Sequence, residues 1–164
     1  MRFTPLTEAE AAASGFTHRL DMSYTDIPPG LAAAAAYVWN VPPMPGVKAS
    51  DIVKSVEMHV TTKFQNTADA AFNSDTVSLG DATLATRFLS AVEVNFNGTA
   101  VVDTIPGAAP NYVYTAAAQI QLTMNSMAAK TLSSLNKGAL YILFNILRAA
   151  GVYEKTPPFG QGYA

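Results

Sequence analysis

GVKASDIVKSVEMHVTTKFQN, the stretch from Gly46 to Asn66, decides the fold because its side chains alternate between apolar and polar types. One set of alternate positions holds Ile52, Val56, Met58, Val60, Thr62 and Phe64. The other set holds Val53, Ser55, Glu57, His59, Thr61 and Lys63. This pattern is typical of a β-strand with one face in a core and one toward water, and it predicts a long inner strand of an antiparallel sheet. Lys54 breaks the apolar set near the start, where its aliphatic stem can lie along apolar surface.

Several other stretches carry the alternation, or the β-branched and aromatic residues, that favour strands. Predicted strands cover residues 17–25, 31–41, 76–79, 92–96, 99–103, 112–124 and 139–149. Two of these stretches are also compatible with a helix, because 31–41 is rich in alanine and 139–149 is apolar on both faces. Aromatic and β-branched residues in both stretches favour the strand, and we predict strands there.

Local signals predict the turns and one helix. Thr7 and Glu10 have the spacing of a capping box, and Gly15 can close a short helix over residues 8–14. Helical spacing of apolar residues in 82–91 predicts a short helix or turn over one end of the sheet. Asn97-Gly98 is a strong hairpin signal, and with Thr99 it also forms a glycosylation sequon by pattern.

Together these elements predict an all-β fold: an antiparallel β-sandwich, or a jelly-roll-like arrangement, with a short N-terminal helix and extended terminal arms. We divide the chain into an N-terminal arm with the helix (1–16), a β-sandwich domain (17–150) and a C-terminal arm (151–164). The second arm is rich in Pro and Gly, so it is expected to be either disordered or laid on a neighbour.

Two sets of residues are candidates for contacts with a partner. The apolar second face of 139–149 predicts cover by another subunit or by the N-terminal segment. Aromatic residues are spaced along the C-terminal arm. The candidate contacts are Tyr141, Leu143, Leu147, Tyr153, Phe159 and Tyr163.

Composition excludes several classes of function. Charged residues make up 13% of the chain and hydrophobic residues 49%, so either the many alanines inflate the hydrophobic fraction or partners cover much of the surface. Net charge is −2 and the basic residues are scattered, which argues against nucleic-acid binding. Cysteine is absent, so no disulfide framework or thiolate site is predicted. The longest apolar run, Ala139 to Leu147, is far shorter than the ~20 residues that span a bilayer, and we predict a soluble protein.

Few residues are arranged for chemistry. Glu57 and His59 have metal-ligand spacing on the polar side of the long strand, but a third ligand is missing from the pattern, and a solvated polar face explains them better. Asp75 and Asp81 flank a short strand, yet the alternating acids of a calcium loop are lacking, so turn-forming aspartates are the better interpretation. There is no phosphate-binding loop or nucleophile elbow. We therefore predict neither an enzyme nor a cofactor.

One aromatic pair offers an alternative. Tyr37 and Trp39 share a face of their predicted strand and could form a platform on which a sugar ring stacks. An aromatic pair on a strand is more often part of a core. The two interpretations differ in whether replacing Trp39 removes sugar binding or unfolds the protein.

Five segments resemble small virion proteins of tailed bacteriophages. They are Val56-Glu57-Met58-His59-Val60-Thr61-Thr62-Lys63-Phe64, Val77-Ser78-Leu79-Gly80-Asp81, Arg87-Phe88-Leu89-Ser90-Ala91, Tyr114-Thr115-Ala116-Ala117-Ala118-Gln119-Ile120-Gln121-Leu122 and the closing apolar strand after Gly138. The likeness spans roughly residues 20–149 and rests on sheet geometry, with no catalytic residues to carry over. It implies a β-sandwich that decorates (cements) a capsid or forms a head fibre.

The resemblance also sets expectations for location and partners. It implies a subunit made in the host cytoplasm and placed on the capsid surface of the virion. Its expected partners are copies of itself, with a trimer as our choice, and the major capsid protein or another virion protein, with neither nucleic acid nor membrane. The alternative is a head or tail fibre, or a receptor-binding module, that recognises carbohydrate through Tyr37 and Trp39.

Overall fold

The computed structural model describes residues 1–41, 47–95, 105–107 and 111–147. Strands dominate these residues, as predicted. Their bounds are β1 (Arg2–Pro5), β2 (His18–Ser23), β3 (Ala36–Asn40), β4 (Ile52–Gln65), β5 (Asp75–Asp81), β6 (Leu89–Glu93), β7 (Ile105–Pro106), β8 (Tyr112–Val113), β9 (Ile120–Ser126) and β10 (Lys137–Leu147). One α-helix, α1 (Glu8–Ser14), and 3₁₀ turns at Tyr24–Asp26 and Leu132–Ser134 complete the described structure.

The strands form two antiparallel sheets around one core. Sheet A has the order β1-β2-β10-β4-β7, and β8 also pairs with β4. Sheet B has the order β3-β9-β5-β6. Apolar side chains from both sheets belong to a single buried cluster, as in a β-sandwich. The predicted all-β sandwich is therefore confirmed. None of the described helices is long and apolar enough to cross a membrane.

The long strand predicted from residues 46–66 is β4, and a bulge changes its first part. From Val56 onward the apolar set points inward, with Met58 and Phe64 fully buried. Lys54 is an extra residue between the pairs Ser55–Asn145 and Val53–Ile146. One added residue reverses which side chains face the core. The prediction that Ile52 points inward and Val53 outward is consequently wrong, since Val53 is buried and Ile52 lies on the outer face with Leu147.

Of the stretch predicted over 139–149, the described residues 139–147 form a strand and not a helix, and β10 is the central partner of β4 and β2. Its alternate residues Leu140, Ile142, Phe144 and Ile146 are buried in the core. Gly138, the second residue of this strand, has a φ of 149°, and a Cβ there would collide with the ring of Phe64. Glycine is therefore required where β10 passes over Phe64.

Two predicted strands are shorter or divided. Within 31–41 only Ala36–Asn40 is a strand, because Ala34 adopts a positive φ of 59° and donates its N–H to the carbonyl of Lys130. The single strand predicted over 112–124 is wrong. Its first part pairs with β4 in sheet A and its later part lies in sheet B, so the chain crosses between sheets near Tyr114.

The remaining local predictions have mixed outcomes. The capping box is confirmed: Thr7 Oγ1 accepts the N–H of Glu10, and the Glu10 carboxylate accepts the N–H of Thr7 at 2.9 Å. Residues 82–88 form turns with no helix, and the following strand begins at Leu89. The Asn97-Gly98 hairpin lies outside the described residues.

The chain ends were predicted as arms. At the N-terminus, Arg2–Pro5 join sheet A as an edge strand paired with β2. Gly15, after α1, accepts a hydrogen bond from the Asn145 side chain of β10 at 2.8 Å, so the N-terminal segment covers part of that strand. Residues 151–164 lie outside the described residues.

Candidate interaction surface

Tyr141 is the centre of a stack of side chains on the outer face of sheet A. Register places it beside Asp21 of β2 and His59 of β4. The His59 ring stacks on Tyr141 with centroids 4.4 Å apart and an interplanar angle of 12°. The guanidinium of Arg19 lies 4.1 Å from the centroid of the same ring, a cation–π geometry. Three strands are thus tied together on a half-buried outer face.

A carboxylate lies at each end of this stack. The His59 Nε2 atom is 2.6 Å from Glu57 Oε1, and the Arg19 Nη2 atom is 2.6 Å from Asp21 Oδ1. Glu57 and His59 are therefore engaged with each other, and His59 also stacks on Tyr141. Among the described residues there is no group of three or more His, Cys, Asp or Glu placed to hold a metal ion.

An apolar row crosses the same face at one end. Leu147 of β10 pairs with Ile52 of β4, and Ile52 pairs with Val113 of β8. Leu147 is 45% exposed and Val113 is 50% exposed. Large aliphatic side chains left this open, side by side, are typical of surfaces that another molecule covers. We call Val113, Ile52 and Leu147 the apolar row.

The predicted contact residues fall into two groups in the structure. Tyr141, Leu143 and Leu147 all lie on the outer face of sheet A, with Tyr141 and Leu143 half-buried and Leu147 exposed. Tyr153, Phe159 and Tyr163 lie outside the described residues. Arg19, Ile52 and Val113 share this face and were missed, because their neighbours across the sheet depend on strand order and on the bulge at Lys54.

Tyr37 and Trp39 lie together on the inner side of β3. Their rings meet edge to face with centroids 4.6 Å apart. Trp39 is 9% exposed, and its indole N–H donates to the carbonyl of Asp26 at 3.2 Å. Little of the indole face is open to a sugar, so this placement favours the core interpretation.

Asp81 joins the two sheets at one end of β5. It accepts hydrogen bonds from Arg87 Nε at 2.6 Å, from Tyr114 Oη at 3.0 Å, and from the N–H groups of Thr83 and Leu84. Burial by itself would raise the pKa of Asp81, but these donors outweigh burial and hold the pKa below its ordinary value. The carboxylate fixes the turn after β5 and the crossing at Tyr114, which is a structural role.

Asp75, at the other end of β5, has the opposite environment. It is 1% exposed, and neither carboxyl oxygen has a hydrogen-bond partner among the residues that the structure describes. Nearby Glu93 accepts the backbone N–H groups of Asp75 and Asn95 and the hydroxyl of Ser74. Burial, and secondarily the charge of Glu93, raise the pKa of Asp75 to about 8. Asp75 is therefore an uncharged acid at neutral pH.

Comparison with known proteins adds a likeness of fold. No family model matches the chain, and no curated protein matches it. A chain in the solved structure of the cyanophage Pam1 capsid asymmetric unit is similar, with a TM-score of 0.54 and 18% sequence identity. The likeness covers 80% of this chain and 82% of that chain. At this identity it shows a shared fold.

The substitution Trp39→Ala tests whether Trp39 is a core residue or part of a carbohydrate-binding platform. We expect it to lower the free energy of unfolding by about 3–5 kcal/mol, as truncation of a buried aromatic residue does. Denaturant unfolding measures the loss. The control is Val38→Ala at the neighbouring exposed position, with a change below about 1 kcal/mol. A Trp39→Ala protein of normal stability that had lost binding on a glycan array would support the carbohydrate platform instead.

Asp75 should make stability fall as pH rises. Between its ordinary pKa of 3.8 and about 8, the folded state holds a proton that the unfolded state has released, so folding weakens by as much as about 1.4 kcal/mol per pH unit. We expect Asp75→Asn to flatten this slope and to stabilise the protein near pH 8. Urea unfolding at a series of pH values measures both effects.

The matched control for this prediction is Asp69→Asn. Asp69 is paired with Lys130, and the hydrogen bond from Lys130 lowers its pKa, so it stays ionised across the same range. This substitution should leave the slope between about pH 5 and pH 8 unchanged. Identical slopes for the wild type and Asp75→Asn would show that Asp75 does not titrate there.

Proposed function

We propose that the protein is a non-enzymatic structural component of a bacteriophage virion, and within that class a capsid decoration (cement) subunit. The observation that carries the proposal is the fold shared with a chain of the cyanophage Pam1 capsid asymmetric unit over four-fifths of both chains. The resemblance of residues 20–149 to virion proteins of tailed phages points the same way. The protein would be made in the host cytoplasm and act on the capsid surface.

The outer face of sheet A is the proposed contact surface. It carries the Tyr141 stack and the exposed apolar row, and the chain continues beyond β10 directly from Leu147 of that row. We propose that Tyr141, Leu143 and Leu147 contact a neighbouring subunit or the shell. Tyr153, Phe159 and Tyr163 of the C-terminal arm would add contacts beside them.

Burial of apolar surface supplies the binding energy in this proposal. Each Å² removed from water contributes on the order of 25 cal/mol before ordering costs are subtracted. Stable interfaces bury about 1,200–2,000 Å² in total, which exceeds what the apolar row can offer. The terminal arms (1–16 and 151–164) and other copies would therefore act with the sandwich domain (17–150), and a trimer on a threefold site is the arrangement we propose.

The number of copies per virion tests the decoration role. A subunit that covers a capsid should be present in hundreds of copies, because surface lattices repeat each site many times. Quantitative mass spectrometry of purified virions, scaled to the major capsid protein, gives the ratio. A handful of copies would place the protein in a tail or fibre, and absence from virions would overturn the proposal.

Removal of residues 156–164 tests the C-terminal arm. We expect the shortened protein to keep its free energy of unfolding within about 0.5 kcal/mol but to bind capsids more weakly, because aromatic contacts are lost. Co-sedimentation with undecorated capsids measures binding. A control chain carrying a Gly/Ser segment of equal length should also bind weakly. Normal binding by the shortened protein would show that the arm contributes no contacts.

A further inference from the structure

The outer edge of sheet B at β3 has backbone groups that no other described strand pairs with. On one side β3 pairs with β9 in an uninterrupted register from Ala36–Asn125 to Asn40–Gln121. On its other side none of the described residues pairs with it. The N–H of Val41 donates to the carbonyl of Ile120 at 2.9 Å, which continues the ladder by one pair.

That bond fixes which groups are free. Hydrogen-bonded and non-hydrogen-bonded pairs alternate along an antiparallel ladder. Val41 is hydrogen-bonded to β9, and Trp39 and Tyr37 lie two and four residues before it. Their N–H and C=O groups therefore also point toward β9. The N–H and C=O groups of Ala36, Val38 and Asn40 therefore point away from β9, toward the open edge.

The other sheet edges carry features that discourage pairing. Edge strands are commonly protected by prolines, charges, short length or bulges. At one edge of sheet A, β1 begins with Arg2 and ends with Pro5, and at the other edge β7 and β8 span two residues each. At the far edge of sheet B, β6 ends in Glu93 and pairs with β5 through a shifted register.

β3 has none of these features. Its sequence, Ala-Tyr-Val-Trp-Asn, contains no charge and no proline, and its register has no bulge. Its outward side chains are Ala36, Val38 and Asn40, with Val38 at the centre and 47% exposed. An uncharged edge strand without a bulge is a template for another strand.

We propose that β3 pairs antiparallel with β3 of a second copy of this chain, with Val38 opposite the partner's Val38. In this register Ala36 lies opposite the partner's Asn40. Every free N–H and C=O of the three outward residues then finds a partner, which makes about six hydrogen bonds. The four-stranded sheets of two copies join into one continuous sheet.

The sequence of β3 favours a second copy of the chain as its pairing partner. Two identical strands in antiparallel order are related by a two-fold axis, so one self-complementary strand serves both copies. No like charges meet in this register, and the two Val38 side chains cover each other on the same face. A five-residue strand pair buries far less than a stable dimer needs, so the contact is weak in solution and strengthened where a lattice holds copies close together.

A two-fold contact would join copies that belong to neighbouring trimers, so this inference rests on the part of the proposed function in which copies of the chain contact each other. Single cysteines test it, because the chain contains no cysteine of its own. We expect Val38→Cys to form a disulfide-linked dimer under mild oxidation, since paired strands bring Cα atoms to about 5.5 Å, within disulfide range. Non-reducing gel electrophoresis across a concentration series measures the cross-linked fraction.

Three further single-cysteine variants test the edge and the register. Ser90→Cys, on the exposed part of β6 at the other edge of sheet B, is the matched control and should cross-link at least ten-fold less. A mixture of Ala36→Cys and Asn40→Cys proteins should cross-link more than either protein alone. Equal cross-linking at residues 38 and 90, or no cross-linking at 38, would overturn the proposal.

Charge substitution gives an independent measurement. Val38→Lys should abolish self-association in analytical ultracentrifugation because two ammonium groups would meet, whereas Val38→Thr should keep it. If Val38→Cys fails to cross-link while the protein still decorates capsids, this pairing alone is wrong. If cross-linking occurs but the protein is absent from virions, the proposed function alone is wrong.

Discussion

Pairing between β4 and β10 is the constraint on which the rest of the structure depends. These two strands form the centre of sheet A, with β2 beyond one and the short strands β7 and β8 beyond the other. A side-chain period of two means that a shift of one residue exchanges the inner and outer faces. The extra residue Lys54 produces one such shift. Val53 and Val56, which are three positions apart, therefore both point into the core.

The pairing between β4 and β10 also determines which side chains lie together on the outer face of sheet A. Register brings Tyr141 beside His59, and it aligns Leu147, Ile52 and Val113 in a row. The two sheets differ in character: the outer face of sheet A carries charged residues such as Arg19 and Glu57, whereas β3 at the edge of sheet B carries none.

The two aspartates of β5 show how position decides the chemistry of identical side chains. Asp81 ends the strand among donors from Arg87, Tyr114 and two backbone N–H groups, and it is held as an anion. Asp75 begins the strand where nearby donors go to Glu93, and its buried carboxyl group has no hydrogen-bond partner in the described part of the chain. Spacing in the sequence marked both residues as turn formers and could not distinguish them, because hydrogen-bond donors arrive from distant segments.

Local patterns determined much of this protein. Alternation of apolar residues predicted β4, aromatic and β-branched content predicted β10, and the Thr7–Glu10 spacing predicted α1, because each signal depends on neighbours along the chain. Only the tertiary structure decided that residues 112–124 divide between two sheets, that Trp39 lies in the core, and that β3 is the edge strand of sheet B among the described strands. Those features depend on which strands lie side by side, and backbone hydrogen bonds between strands form without regard to sequence distance. The stretch from Gly46 to Asn66 therefore specified β4, while the pairing with β10 and its register shifts, one of them at Lys54, specified which way each side chain points.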